Sequence, residues 1–126
     1  MGNNRIWILG AQDPEMELIE KLLHQCGETV LYAADKSGRR VHPGNAYSCP
    51  VPSVPSVAEG ATVYAVECID RLPEGWIRID HHRSGDPGCG KPPEEFMYAS
   101  SIGQVIDELA RLGVAARIDE IGRAHV

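Results

Sequence analysis

The chain has 126 residues, of which 43% are hydrophobic and 24% are charged, and this composition predicts one folded domain over residues 1–126 rather than a disordered chain. Its formal net charge of −6 argues against a long nucleic acid as partner, because such binding draws on an excess of Lys and Arg, but is compatible with a small phosphorylated ligand or a nucleotide. The sequence has no secretory leader, no apolar run of about 18 residues and no CxxC pair, so we expect a cytoplasmic protein with no membrane contact and with reduced thiols.

The first elements predicted along the chain are a strand, a helix and a second strand. Residues Arg5–Leu9 form a short apolar run that stops at Gly10, and Pro14–Gln25 carries apolar residues at helical spacing behind an N-cap at Asp13. Residues 28–34 form another apolar run rich in β-branched side chains. This order favours a parallel sheet, in which ligands bind at the carboxyl ends of the strands.

Residues 35–60 predict a long surface loop, because they contain four prolines, at positions 43, 50, 52 and 55. Loops of this length in a compact domain are often functional, so we expect this one to line or cover the functional cleft. Several of its side chains are suited to binding an anion or a nucleotide base. They are Arg39, Arg40, His42, Asn45 and Tyr47. The alternative is an ordinary solvated loop.

Two further strands are predicted in the second half of the chain. Residues 61–68 are a nearly continuous apolar run that is interrupted by Glu67, and residues 76–79 alternate until they reach Asp80. Burial of an unpaired carboxylate is costly, so a nearby cation explains Glu67 better than packing does. The link at 72–75 is too short for a crossover helix, which predicts a compact loop between these strands.

The last predicted element is a helix that begins at Ser100 or Ser101 and runs through Leu112. A Gly- and Pro-rich loop over 85–93 precedes this helix, and a tail over 114–126 follows it. Together the predicted elements make an α/β fold, a three-layer sandwich with a mainly parallel sheet.

Acidic or imidazole groups follow three strands of this predicted sheet. In chain order they are Glu15 and Glu17, then Glu67, then Asp80 and His81. Carboxylate oxygens neutralise the charge of a divalent cation and an imidazole nitrogen adds selectivity, so the pattern predicts a metal site. Helix capping and solvated loop positions would explain the same residues without a metal.

This order of groups resembles the DHH phosphoesterase superfamily, which includes single-strand exonucleases, oligonucleotide and cyclic-dinucleotide phosphodiesterases, and manganese-dependent inorganic pyrophosphatases. The sharpest likeness is IDHH at 79–82, followed by ASSI at 99–102 where the last helix starts. The first family motif, HxxPDxD, is matched by AQDPEME at 11–17, in which Ala11 replaces the histidine and Glu15 and Glu17 replace the aspartates. Glu67 replaces the aspartate of the second motif.

The resemblance implies a DHH-like domain that hydrolyses phosphate esters with the help of Mn²⁺ or Mg²⁺. It implies five metal ligands, namely Glu15, Glu17, Glu67, Asp80 and His81. It implies catalytic roles for Asp80, His81 and His82. We expect His82, Arg83, Asp86 and His42 to contact the substrate. Adjacent histidines on an extended backbone point to opposite faces, so His81 and His82 are expected to differ in role.

The departures from the family pattern favour an alternative function. Loss of the first histidine, at Ala11, and the lack of a counterpart to the family's second domain fit an inactive DHH-like module that binds a nucleotide or a protein. A fragment of a longer protein would show the same features. The sequence leaves the oligomeric state and the substrate open.

Overall fold

A computed structural model of the protein describes residues 4–52, 60–81 and 100–113. These residues contain four strands and two helices, in the order predicted from the sequence. The strands are β1 (Arg5–Leu9), β2 (Thr29–Tyr32), β3 (Thr62–Val66) and β4 (Ile77–Ile79), and the helices are α1 (Pro14–Gln25) and α2 (Ser101–Arg111). The predicted loop at 85–93 and the tail at 114–126 lie outside the described residues.

The four strands are parallel and form one sheet in the order β2-β1-β3-β4. The central strand is β1, in which Trp7 is in register with Val30 of β2 on one side and with Tyr64 of β3 on the other. The predicted α/β class with a parallel sheet is therefore confirmed.

Both helices pack against the same face of this sheet. Their buried side chains recur at helical spacing and are Met16, Ile19, Leu22 and Leu23 on α1 and Val105 and Leu109 on α2. The strand residues that they cover include Trp7 and Tyr64, whose rings stack with centroids 4.0 Å apart. Alternation along β1 and β3 sends the intervening side chains to the opposite face.

Each helix begins at a side chain that caps it. The Asp13 carboxylate accepts the Met16 amide hydrogen at 2.7 Å, and the Ser100 hydroxyl accepts the amide hydrogen of Gly103 at 3.0 Å. The N-cap predicted at Asp13 is confirmed, and the start of α2 falls where the sequence predicts it. Within the described ranges neither helix is long and apolar enough to cross a bilayer.

The second face of the sheet is covered, in the described residues, by irregular chain. Val41 and Ala46 from the long loop and Ile69 from the connection after β3 pack on Ile8 and Ala65 of the sheet. No helix lies on this face within the part of the chain that the structure describes. The three-layer arrangement therefore stays a prediction.

The connection between β3 and β4, residues 67–76, is the compact loop that its length predicts. It has no helix, and Arg78 fixes it by donating hydrogen bonds to the carbonyls of Ile69 at 2.7 Å and Asp70 at 2.9 Å. Two of its residues, Glu67 and Ile69, have the positive φ angles of 55° and 63°. Such angles are rare for side chains of this size, so the loop turns sharply just after β3.

Charged and aromatic side chains also form a network on the helix-covered face. Glu28, which is buried, accepts hydrogen bonds at 2.8 Å from both Arg5 and the Trp7 indole. Glu108 on α2 accepts hydrogen bonds from the Tyr64 hydroxyl and from the Arg111 guanidinium. We call these six residues the matched network: Arg5, Trp7, Glu28, Tyr64, Glu108 and Arg111.

Candidate metal centre

The site predicted from the sequence lies where the strand order changes direction. The chain runs outward from β1 to β2, then returns to β3 and β4 on the other side of β1. In open parallel sheets, ligands bind in the crevice at the carboxyl ends of the strands at such a switch point. Glu15, in the first turn after β1, and Glu67, directly after β3, both lie there.

Three side chains from different parts of the chain meet in this crevice. One oxygen each of Glu15 and Glu67 and one nitrogen of His81 lie within 4.8 Å of one another. His81 Nε2 is 3.8 Å from Glu15 Oε1 and 3.7 Å from Glu67 Oε2. Both separations exceed the usual length of a hydrogen bond.

These separations fit ligands of one divalent ion. Two ligand atoms that each lie about 2.1 Å from a metal are about 3.0 Å apart at a right angle and about 4.2 Å apart when opposite. The two separations from His81 Nε2 lie between these limits. The three residues, Glu15, Glu67 and His81, can therefore hold an ion with small side-chain movements.

The backbone around Glu67 is strained in a way that directs its carboxylate into the crevice. Its φ of 55° is unusual for a non-glycine residue, and its amide is fixed by a hydrogen bond to the Ile79 carbonyl at 3.0 Å. Gly10 packs so closely on it that an added Cβ would lie 2.2 Å from the Glu67 carbonyl oxygen. Strain of this kind costs about 1–3 kcal/mol and is concentrated at functional sites.

Glu15 is held between the amino termini of two helices. It lies in the first turn of α1, and its Oε2 accepts the amide hydrogen of Ile102, in the first turn of α2, at 3.2 Å. The positive end of each helix dipole favours a carboxylate at this position. The helices thus offset part of the repulsion between the carboxylates in the crevice.

Asp80 lies beside these three residues rather than among them. Its side chain is completely buried; Oδ2 accepts the Tyr47 hydroxyl at 2.5 Å, and Oδ1 accepts the His81 amide hydrogen at 2.8 Å. Gln104 of α2 donates to the Asp80 carbonyl at 2.8 Å. Asp80 therefore fixes the backbone from which His81 reaches Glu15 and Glu67.

The other residues predicted for the site are placed differently. Glu17 is exposed on α1 and accepts a hydrogen bond from Gln12 at 2.9 Å, away from the three residues that meet. His42 is exposed in the long loop, where its Nδ1 accepts the Gly44 amide hydrogen at 3.0 Å. The predicted substrate contacts His82, Arg83 and Asp86 lie outside the described residues.

Two side chains of the long loop have roles that sequence reasoning missed. Tyr47 was expected to grip a ligand, but its hydroxyl donates to Asp80. Arg40 donates to the Gly10 carbonyl at 3.2 and 3.1 Å and stacks over the Tyr32 ring, so it supports the turn after β1. The roles of Gln104 and the Ile102 amide were also missed, since the ASSI stretch at 99–102 indicates the start of α2 but not which of its groups bond to Asp80 and Glu15.

The long loop lines the crevice, as predicted. Next to Glu67 is a cavity with a volume of about 240 Å³. Its lining residues are Ala11, Asp13, Pro43, Ala46, Tyr47 and Glu67. Half of these belong to the loop, so its described part forms one wall of the candidate site.

Comparisons with family models, with curated proteins and with solved structures gave no match to this chain.

Proposed function

We propose that the protein is a divalent-metal-dependent phosphoesterase of the DHH-like, three-layer type, acting on a small phosphorylated or nucleotide substrate. The observation that supports this most is the meeting of Glu15, Glu67 and His81 at the switch point of a parallel sheet. Two carboxylates and one imidazole form a donor set that suits a transition-metal ion, and a bound cation would offset the repulsion between the two like charges.

The chemistry of the donor set favours Mn²⁺ over Mg²⁺. Mg²⁺ takes oxygen ligands almost exclusively and keeps several waters, whereas an imidazole nitrogen suits transition metals. A bound ion of this kind would supply a water of lowered pKa and neutralise charge on the phosphoryl oxygens. Glu15 and Glu67 would balance the charge of the ion, and His81 would select its type.

The remaining roles follow from the placement of Asp80. Because Asp80 holds the His81 amide, it positions a ligand, and release of its carboxylate by the Tyr47 hydroxyl would free it to bind the ion as well. By the DHH resemblance, His82 would contact the phosphate with help from Arg83.

A binding module without catalysis is the second candidate, and one observation favours it. Asp80, the residue that the resemblance makes central to catalysis, has its two carboxylate oxygens bonded to Tyr47 and to the His81 backbone. In this alternative the crevice binds an ion and a nucleotide but does not activate water.

Metal titration tests the proposal. Isothermal titration of Mn²⁺ into chelator-treated protein should show binding to the wild type and to Glu74→Gln, a control that removes an exposed carboxylate of the connection between β3 and β4 that is not one of the three residues meeting in the crevice. Glu67→Gln should bind at least about tenfold more weakly, which corresponds to about 1.4 kcal/mol. Equal affinity in all three proteins, or no binding of any divalent ion, would refute the proposed site.

Hydrolysis separates the two candidate functions. With Mn²⁺ bound, the phosphoesterase should release p-nitrophenol from p-nitrophenyl phosphate or from its bis ester, and Glu67→Gln should not. Mn²⁺ binding without hydrolysis of these esters or of pyrophosphate would favour the binding module.

A further inference from the structure

The cavity beside Glu67 adjoins the candidate metal centre. Apart from Glu67, its lining residues are not proposed metal ligands. Ala11 and Asp13, in the turn between β1 and α1, form one side, and Ala46 and Tyr47 from the long loop form another. Glu67 belongs both to this lining and to the three residues that meet around His81. The cavity and the metal centre therefore share Glu67 as a common wall.

The negative charge of the cavity lining disfavours a phosphoryl group. Its described lining contains two carboxylates, of Asp13 and Glu67, and no Lys, Arg or His. A phosphate inside it would face two carboxylates and no basic side chain of the lining, so it would be held better at the metal centre, where the ion would offset its charge. Ala11, Pro43 and the Tyr47 ring instead present apolar surface, which suits an uncharged ring.

The size of the cavity limits what it can hold. Its volume of about 240 Å³ lies below the range of about 300–1,000 Å³ that is typical of pockets for drug-sized ligands. One ring-sized group fits such a space, and a dinucleotide does not.

From this geometry we infer that the cavity binds the uncharged, ring-sized organic part of the substrate while the metal centre binds its phosphate. This inference rests on the proposed function, which it narrows from any small phosphorylated compound to an organic phosphate ester of the size of a sugar phosphate or a mononucleotide. Pyrophosphate, with no organic part, would leave the cavity without a ligand.

A variant that fills the cavity tests the size argument. Ala46 lines the cavity and is buried, so Ala46→Leu adds three carbon atoms to its wall. In Mn²⁺-loaded protein this change should weaken the binding of ribose 5-phosphate at least about tenfold and leave that of pyrophosphate within about twofold. Circular dichroism and urea unfolding show whether the variant is folded.

A second variant tests the charge argument without touching the core. Asp13→Asn keeps an N-cap residue for α1, since Asn caps as well as Asp, but removes a charge from the cavity wall. Pyrophosphate and ribose 5-phosphate, which both hold a phosphate at the metal centre, should then bind up to about two- to fivefold more tightly, whereas uncharged adenosine should change less than twofold. The matched control is Asp107→Asn, which removes an exposed charge from α2.

Adenosine, which has no phosphate, separates failure of this inference from failure of the proposed function. Titration of labelled, metal-free protein with adenosine should shift the amide signals of Ala46 and Glu67 in NMR spectra, and Asp107→Asn should behave like the wild type. Absence of these shifts, or a folded Ala46→Leu that binds ribose 5-phosphate as the wild type does, overturns the inference. Absence of Mn²⁺ binding with the shifts intact overturns only the metal centre and leaves the cavity as a ring-binding site.

Discussion

The protein holds carboxylates in two ways, on the matched network and in the crevice at the sheet end. Glu28 in the matched network accepts hydrogen bonds at 2.8 Å from a guanidinium and an indole. In the crevice, Glu15 and Glu67 instead lie 3.8 and 3.7 Å from the single imidazole of His81. The first arrangement pairs each charge at hydrogen-bond distance, whereas in the second the separations from His81 Nε2 exceed hydrogen-bond distance and match those between two ligands of one divalent ion.

This difference indicates which carboxylates stabilise the fold. Charges that are buried and paired at hydrogen-bond distance are costly to break, because removal of one partner leaves the other without compensation. Residues arranged for a ligand commonly reduce stability until the ligand binds. In metal-free protein, replacement of Glu by Gln should therefore lower the free energy of unfolding in the matched network and raise it in the crevice.

The largest effect is expected at Glu28. Glu28→Gln leaves the Arg5 guanidinium, whose side chain is 18% exposed, against a neutral amide. Urea unfolding should show a loss of about 2–3 kcal/mol in the free energy of unfolding, near the lower end for a broken buried pair. Glu74→Gln, at an exposed position, should change it by less than about 0.5 kcal/mol. A loss at Glu28 no larger than that of the control would show that the matched network does not stabilise the fold.

The opposite response is expected at Glu67. Without metal, Glu67→Gln removes a like charge from beside Glu15 and should raise the free energy of unfolding by about 0.5–1 kcal/mol. With Mn²⁺ at about a hundred times its dissociation constant, the wild type should gain about 2.7 kcal/mol and the variant much less. If the metal-free variant instead loses more than about 1 kcal/mol, Glu67 is a structural residue and the comparison between the two regions fails.

Much of the fold and part of the candidate site could be predicted from the sequence. The strands, α1 with its cap at Asp13 and the start of α2 follow from apolar periodicity and capping residues, and Glu67 stands out as a carboxylate that ends an apolar run. The sequence also allows the prediction that Glu15 and Glu17 point in different directions. Residues two apart on a helix do not face each other, so both could not enter one crevice.

The partners of the site could not be predicted, because they depend on tertiary packing. The Ile102 amide reaches Glu15 across 87 residues of chain, and Tyr47 reaches Asp80 across 33. Glu15 and Ile102 lie in the stretches at 11–17 and 99–102 that resemble family motifs, but neither stretch indicates the hydrogen bond between them, and no sequence pattern links Tyr47 to Asp80. Alternation along the strand does explain why the Asp80 and His81 side chains serve different partners.

An intermediate effect is expected at Tyr47, whose hydroxyl pairs with the carboxylate of Asp80 beside the crevice. Tyr47→Phe removes the hydroxyl that donates to buried Asp80 and should lower the free energy of unfolding by about 1–2 kcal/mol without metal. If Asp80 is a metal ligand, its released carboxylate should raise the affinity for Mn²⁺ by up to about tenfold. Calorimetric titration measures this affinity, and an unchanged value would show that Asp80 only positions His81.

The smallest effect concerns pH and Glu108 of the matched network. Hydrogen bonds from Arg111 hold the pKa of Glu108 below its ordinary value of about 4.5, and the Tyr64 hydroxyl acts in the same direction, while burial opposes both. A carboxyl group whose pKa is lower in the folded state stabilises the fold above its unfolded value, and this stability is lost as pH falls through the folded value.

Stability measurements at two pH values isolate this contribution. The wild type should exceed Glu108→Gln in free energy of unfolding at pH 7, and the difference should shrink as pH falls below the ordinary carboxyl pKa of about 4.5, because the unfolded state then takes up its proton before the folded state does. Because the partner Arg111 is 64% exposed, solvent screens the pair and the difference should stay well below that at Glu28. Asp107→Asn, at the exposed position just before Glu108 on α2, controls for the loss of a helix charge. A difference that is constant with pH, or that grows as the solution becomes acidic, would contradict the assignment of Glu108 to the matched network.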